Sequence, residues 1–250
     1  MIPELFDPRV APYRLEGTNG HAVVLLHGFT GVPTHFRPIA ERLNRSGFTV
    51  NVPLLEGHGT TIDHLLETSY EEWIRGAELA TRAVADHRTV HLAGLSMGGL
   101  LSIIVAARTA ATTITTINSP IVVHDLQLYL SPFAHRLVPT VTWDDPTSPA
   151  PEDVAEYDLT YAGFHTPSAA QLVRIMAEAY RCAHRLRRPS LVIQSKADET
   201  VRPISGRLLK RALGPPAELF WLERARHNAL LDPERERLET AVVGHITRNI

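Results

Sequence analysis

A serine bracketed by glycines is the clearest chemical feature of this chain. Residues 90–99 read as a short apolar strand that runs through Gly94-Leu95-Ser96-Met97-Gly98 directly into an apolar helix. Such a turn strains the serine backbone, raises its hydroxyl above the sheet edge and places it beside the positive end of the helix. A chance match in a structural turn is the alternative, but the strand and helix on either side favour a nucleophile.

A serine hydroxyl is a weak nucleophile at neutral pH, so it needs a base that is oriented by an acid. Asp198 and His227 each follow a later strand pattern, in the chain order serine, acid, histidine. Glu199 is a rival for the acid, although the shorter side chain of Asp198 suits a tight turn better. His245 also lies beyond Asp198, but it falls inside the terminal helix pattern. Asp198 and His227 are therefore the predicted partners of the serine.

The negative charge of a tetrahedral intermediate needs hydrogen-bond donors. One predicted donor is the N–H of Met97, directly after the serine. The other is the N–H of Phe29, in the glycine-bracketed turn His27-Gly28-Phe29-Thr30-Gly31 that follows an early strand pattern. His27 is a conceivable base, but a histidine here more often fixes its loop by hydrogen bonding.

These residues need a sheet that brings the ends of several strands together. Strand-like runs occupy residues 22–26, 49–53, 89–93, 114–118, 191–194 and 218–222. Helical patterns lie between and after them, at residues 36–46, 69–86, 100–109, 168–185, 204–213 and 234–248. Alternation at this spacing predicts an α/β fold with a mostly parallel central sheet flanked by helices.

Residues 120–167 break this alternation with several prolines among acidic and apolar residues. Their apolar content argues against a disordered linker, and their position predicts a small cap over the site. The predicted domains are a core of residues 1–119 and 168–250 and a cap of residues 120–167. Apolar residues expected to shape the cap are Ile121, Val122, Leu126, Leu130, Phe133, Leu137, Val138 and Trp143.

Composition limits the other classes of function. A length of 250 residues with 44% hydrophobic residues is enough for one large α/β core, and a net charge of −2 gives no electrostatic case for binding nucleic acid. The single cysteine, Cys182, excludes an intramolecular disulfide and a cysteine metal site. No cofactor or metal motif, membrane segment or signal-peptide pattern is found, so we expect a cytoplasmic enzyme without a cofactor. The oligomeric state is not readable from the sequence.

The chain resembles the α/β-hydrolase superfamily, and within it the bacterial carboxylesterases and monoacylglycerol lipases. The motifs that carry the resemblance are His27-Gly28-Phe29-Thr30-Gly31, Gly57-His58-Gly59, Gly94-Leu95-Ser96-Met97-Gly98-Gly99 and His227-Asn228-Ala229-Leu230-Leu231-Asp232. The resemblance extends from about residue 22 to the C-terminus and is weakest in the cap. It implies Ser96 as nucleophile, His227 as base, Asp198 as orienting acid, and Phe29 and Met97 as oxyanion donors.

The expected activity is hydrolysis of carboxylic esters, with short to medium acyl chains or monoacylglycerols as substrates, through an acyl-enzyme. Thioester, lactone and carbon–carbon bond hydrolysis use the same triad and stay open, as does a perhydrolase or haloperoxidase side activity. A ligand receptor with vestigial catalysis is the alternative from another class, and the presence of every expected catalytic residue argues against it.

Overall fold

A computed structural model describes residues 7–131, 139–142 and 150–250 of the chain. Within these ranges the strands are β1 (Tyr13–Leu15), β2 (Ala22–Leu26), β3 (Thr49–Val52), β4 (Val90–Leu95), β5 (Thr113–Ile117), β6 (Thr140–Thr142), β7 (Gly163–His165), β8 (Ser190–Ser195) and β9 (Ala217–Leu222). The helices are α1 (Arg37–Arg45), α2 (Ile62–Glu67), α3 (Tyr70–Arg82), α4 (Met97–Ala106), α5 (Thr166–Ala183), α6 (Ile204–Leu213) and α7 (Arg235–Thr247).

Among the described residues, seven strands form one sheet in the order β1-β3-β2-β4-β5-β8-β9. All neighbouring strands in it are parallel except β1, which pairs antiparallel with β3. The direction of strand order changes between β2 and β4: β3 pairs with one side of β2, whereas β4 pairs with the other side. The parallel strands end at one common edge. Such an edge is where open α/β sheets place their ligands. The predicted α/β fold with a mostly parallel, helix-covered sheet is therefore confirmed.

Both faces of the sheet are covered by helices. Strands β2, β4, β5 and β8 are buried throughout, which explains the continuously apolar run of residues 22–26. One face packs on α1 and α7, and the other packs on α3, α4, α5 and α6. In the part of the chain that the structure describes, no helix is both long enough and apolar enough to cross a bilayer.

Some elements differ from the sequence prediction. Strand β1 and helix α2 are short and were not predicted, because three or six residues carry too little periodicity to detect. Helix α4 begins at Met97 rather than near residue 100, since the turn at Ser96 leads into it without a linker. The antiparallel β6–β7 pair lies in the predicted cap. Phe133, Leu137, Val138 and Trp143 lie outside the described residues.

Buried histidines make the fold sensitive to acid. Burial lowers the pKa of His58 to about 4, and burial together with the nearby His21 and His245 lowers that of His91 to about 4. Below about pH 6.5 the unfolded chain binds a proton at each site that the folded chain does not bind until about pH 4. The stability that these two residues contribute is therefore complete above pH 6.5 and is lost as the pH falls toward 4, on the order of 3 kcal/mol each.

We expect the free energy of unfolding in urea to fall steeply between pH 6.5 and 4.5, and the fall to be shallower in His91→Gln. That variant replaces the group that must be protonated, while its amide still offers hydrogen bonds to Thr89 and Thr113, which His91 contacts at 2.8 Å. His184→Gln is the matched control, because His184 is exposed. An identical pH slope in His91→Gln and the parent protein would contradict this prediction.

Candidate active site

Ser96 lies on a strained turn between β4 and α4. Its backbone has φ 54° and ψ −119°, which an L-residue adopts only where the surrounding structure imposes it. The Ser96 N–H donates to the carbonyl of Ile117 at 2.7 Å, so the end of β5 holds the turn in place. The residue is 8% exposed. The strain expected from the sequence is therefore present, at the serine singled out there.

The glycines on either side of Ser96 let three backbone segments meet. A Cβ on Gly98 would lie 1.8 Å from the carbonyl oxygen of Leu26, and one on Gly94 would lie 2.1 Å from the carbonyl carbon of Gly98. Real side chains do not approach backbone atoms this closely. The start of α4 is thus pressed against the end of β2, which brings the serine turn beside the turn that follows β2.

The turn after β2 faces the serine with its backbone. A Cβ built on Gly28 would lie 3.3 Å from Ser96 Cβ and 3.9 Å from Ser96 Oγ. Among the described residues, the N–H groups of Phe29 and Met97 have no hydrogen-bond acceptor. Two unpaired donors beside a serine hydroxyl are the arrangement that an oxyanion requires.

His27 and His58 pack beside the turn after β2. The fully buried His27 ring contacts the Gly28 carbonyl through Nδ1 and accepts the Leu55 N–H through Nε2, both at 3.0 Å. His58 packs edge-on against His27 with ring centroids 4.8 Å apart. Burial lowers the pKa of His27 well below its ordinary value. Both ring nitrogens of His27 contact backbone groups of loops, so His27 holds these loops in place, which is the role that the sequence analysis favoured over that of a base.

Asp198 and His227 meet at the ends of β8 and β9. His227 Nδ1 lies 3.1 and 3.0 Å from the two carboxylate oxygens of Asp198. The N–H groups of Thr200 and Val201 donate to Asp198 Oδ1 at 2.9 and 2.8 Å. The carboxylate is fully buried, whereas the imidazole keeps 21% of its surface exposed. Because a carboxylate only accepts, Nδ1 carries the proton and Nε2 is left as the acceptor.

The electrostatic environment of His227, which is partly exposed, differs from that of the fully buried histidines. Burial alone would lower the pKa of His227, but the charge and hydrogen bond of Asp198, with a further contribution from the Glu199 charge, raise it above its ordinary value. In the described structure no hydrogen bond joins Ser96 Oγ to the imidazole. Catalytic hydrogen bonds of this kind commonly tighten only when substrate is bound.

Two further residues contact the main chain of His227, and the sequence did not single out this role. Glu199, considered there as a rival acid, accepts the His227 N–H at 2.9 Å rather than contacting the ring. Asn118, at the end of β5, donates through Nδ2 to the carbonyl of His227 at 2.9 Å. Asn118 has φ 46°. An asparagine directly after a strand is the one signal that could have drawn attention to it, because asparagine tolerates this conformation.

Comparison with known proteins agrees with this architecture. A family model described as "Alpha/beta hydrolase family" matches residues 23–239. A thermostable monoacylglycerol lipase of Bacillus sp. (strain H-257) is 30% identical over 84% of each chain. A carboxylesterase of Bacillus subtilis (strain 168) is 23% identical over 90% of this chain and 91% of its own.

Among solved structures, one described for the metagenome-derived lipolytic enzymes LipS and LipT superposes with a TM-score of 0.89. It is 28% identical and covers 98% of this chain and 100% of its own. The family match begins within β2 and includes the later strands of the sheet, the serine turn and the loops that carry Asp198 and His227. The chain belongs to the alpha/beta hydrolase family.

Proposed function

We propose that this protein is a serine hydrolase that cleaves carboxylic esters through an acyl-enzyme on Ser96. The observation that carries the proposal is the strained serine beside two unpaired N–H donors, on the sheet edge that also holds the Asp198–His227 pair. The named activities of the relatives, a monoacylglycerol lipase and a carboxylesterase, support ester hydrolysis as the reaction.

The geometry assigns one step to each group. Nε2 of His227 takes the hydroxyl proton as Ser96 Oγ attacks the ester carbonyl, and Asp198 stabilises the imidazolium that forms. The N–H groups of Phe29 and Met97 donate to the oxyanion of the tetrahedral intermediate. The imidazolium then protonates the leaving alcohol. A water molecule, deprotonated by the same nitrogen, then attacks the acyl carbonyl. The bond from that carbon to Ser96 Oγ breaks, the imidazolium returns its proton to Oγ, and the acid is released.

Short to medium acyl esters and monoacylglycerols are the proposed substrates. Thioesters and lactones present the same electrophilic carbonyl to the same groups, so they are the second candidates. The cytoplasmic location expected from the sequence stays a prediction, as do the absence of a nucleic-acid partner and of a cofactor.

Covalent labelling followed by turnover tests the function. A fluorophosphonate should label the protein on Ser96 alone, as identified by peptide mass spectrometry, and labelling should stop p-nitrophenyl butyrate hydrolysis in proportion. A panel of p-nitrophenyl esters from acetate to palmitate, with monoacylglycerols and an acyl-CoA, then ranks the substrates. Labelling without turnover of any of these substrates would favour a ligand receptor on this fold.

We expect kcat/KM to rise with pH through a single apparent pKa above 6.5, the ordinary value for histidine. Protonated His227 cannot accept the serine proton, so activity is lost below its pKa, and Asp198 raises that pKa. Initial rates with p-nitrophenyl butyrate from pH 5 to 9 measure this rise, the acid limb of the pH profile. A limb centred clearly below 6.5 would contradict the proposed role of the Asp198–His227 pair.

We also propose that residues 120–167 form a cap over this site. The supporting contacts come from its C-terminal part, where His35 Nε2 donates to the Leu159 carbonyl at 2.8 Å and Thr160 Oγ1 donates to the Thr30 carbonyl at 3.2 Å. The ring of Phe164 lies 5.2 Å from that of Phe29, centroid to centroid. Thr160 and Phe164 therefore pack on the turn after β2, and Leu159 contacts the segment that follows it.

Leu126 and Leu130 are more than half exposed, and we propose that this part of the cap meets the acyl chain. We expect replacement of residues 126–138, which leaves the β6–β7 pairing in place, by a Gly/Ser linker to change chain-length preference far more than p-nitrophenyl acetate hydrolysis. This design keeps residues 122–124, which bond to Thr200 and Arg202 behind Asp198. An unaltered preference across the ester panel would show that the cap does not shape the pocket.

A further inference from the structure

The main chain of His227 is held at both ends of the residue by side chains from other loops. Glu199 Oε2 accepts the His227 N–H at 2.9 Å, and Asn118 Nδ2 donates to the His227 carbonyl at 2.9 Å. Asn118 Nδ2 also lies 3.2 Å from the carbonyl of Arg226. The imidazole is held separately, by Asp198. The main chain of the loop after β9 is therefore held in place by side chains from outside that loop.

Asn118 also connects the other catalytic loops. Its Oδ1 accepts the Ser195 N–H at 2.8 Å, and its own N–H donates to the Ile193 carbonyl at 2.9 Å. The preceding residue, Ile117, accepts the Ser96 N–H at 2.7 Å. Asn118 is fully buried, so these bonds are shielded from bulk solvent. The end of β5 thus bonds to the serine turn, the strand that carries the acid, and the histidine loop.

We propose that Asn118 and Glu199, together the peptide clamp, are positioning residues that set the distance and orientation of His227 relative to Ser96. The proposal rests on the proposed role of His227 as base. A base displaced by even 1 Å from its productive position costs about 100-fold in rate, although substrate binding does not depend on it. The clamp should therefore affect kcat and leave KM nearly unchanged.

Glu199 offers the cleaner test, because it is exposed and its replacement does not threaten the core. Glu199→Gln keeps a side-chain oxygen that accepts the His227 N–H but removes the charge, whereas Glu199→Ala removes both. We expect Glu199→Ala to lower kcat about tenfold with KM within about threefold, and Glu199→Gln to restore kcat to within about threefold of the parent.

The charge of Glu199 has a separate readout in the pH profile. Among the described residues, the other charged groups near His227 include Asp198, the Arg226 guanidinium, which is paired with Asp232 at 3.0 Å, and Asp158, which lies 3.5 Å from Nδ2 of the adjacent Asn228. These groups stay in place in both variants. Loss of the Glu199 carboxylate should move the acid limb of kcat/KM to lower pH in Glu199→Gln and Glu199→Ala alike, because a negative charge favours the imidazolium.

Asn118→Gly tests the other half of the clamp. Glycine accepts the φ of 46° at this position, so the variant removes the amide without adding backbone strain. We expect kcat to fall about 100-fold with KM within about threefold, and the rate of fluorophosphonate labelling to fall in parallel. If this variant does not fold, as judged by circular dichroism, the Glu199 pair decides the question alone.

Matched controls lie on the same strand and the same sheet edge. Thr115→Val changes a buried residue of β5 whose hydroxyl has no partner among the described residues, and Glu223→Gln changes an exposed carboxylate that pairs with Lys196. Both should keep kcat within about twofold.

Glu199→Ala and Asn118→Gly with kcat within twofold of the parent would overturn the clamp. So would an equal loss in Glu199→Gln and Glu199→Ala, because the retained acceptor would then be irrelevant. Failure of the proposed function is a different result: His227→Ala would keep its activity. An inactive His227→Ala beside fully active clamp variants refutes the clamp alone.

Discussion

Ser96→Ala and His227→Ala should each lower kcat for p-nitrophenyl butyrate by about four to six orders of magnitude. The first removes the hydroxyl held on the strained turn, and the second removes the nitrogen that accepts its proton. The double variant should be scarcely worse than either single variant, because triad members act as a unit. Steady-state kinetics of the three purified variants, with circular dichroism to confirm folding, measure the effect.

The fluorophosphonate separates the two single variants. Ser96→Ala should show no labelling, since the nucleophile is absent. His227→Ala should label slowly, since the hydroxyl remains but is not activated. Ser96→Ala should also leave the free energy of unfolding equal to or above that of the parent, because active-site residues are commonly kept for function rather than for stability. Near-parental turnover in either variant would refute the assignment.

Asp198→Asn is the second large effect that we expect, a loss of about 1,000- to 10,000-fold in kcat. The amide can donate to Nδ1 and so favours the tautomer that carries its proton on Nε2, where the acceptor is needed. The change also removes the charge that raises the pKa of His227, so the remaining activity should have its acid limb at lower pH. Rates across pH 5 to 9 report both consequences.

Glu199→Gln is the internal comparison for that result. Its carboxylate reaches the His227 N–H rather than the ring, so the amide variant should lose little activity. The reverse result, a large loss of kcat in Glu199→Gln and a small loss in Asp198→Asn, would show that Glu199 rather than Asp198 is the acid that orients His227.

The sequence by itself determined the fold class and the chemical groups. The six predicted strands are all present. The clearest case is β2, because a strand buried on both faces is apolar throughout and its flanks are polar or turn-forming. The serine turn could also be predicted from the sequence. Close backbone approach at Gly94 and Gly98 leaves room for no side chain, so both positions must be glycine and the pattern is visible in the sequence.

The tertiary structure alone decided which groups the neighbouring carboxylates and Asn118 contact. Asp198 and Glu199 are adjacent and both acidic, and only the packing of β8 against β9 directs one to the imidazole and the other to a backbone N–H. Asn118 is more than 70 residues from both Ser195 and His227, so no local pattern records its bonds to them. Residue types and local periodicity are properties of short segments, whereas these bonds depend on which strands become neighbours.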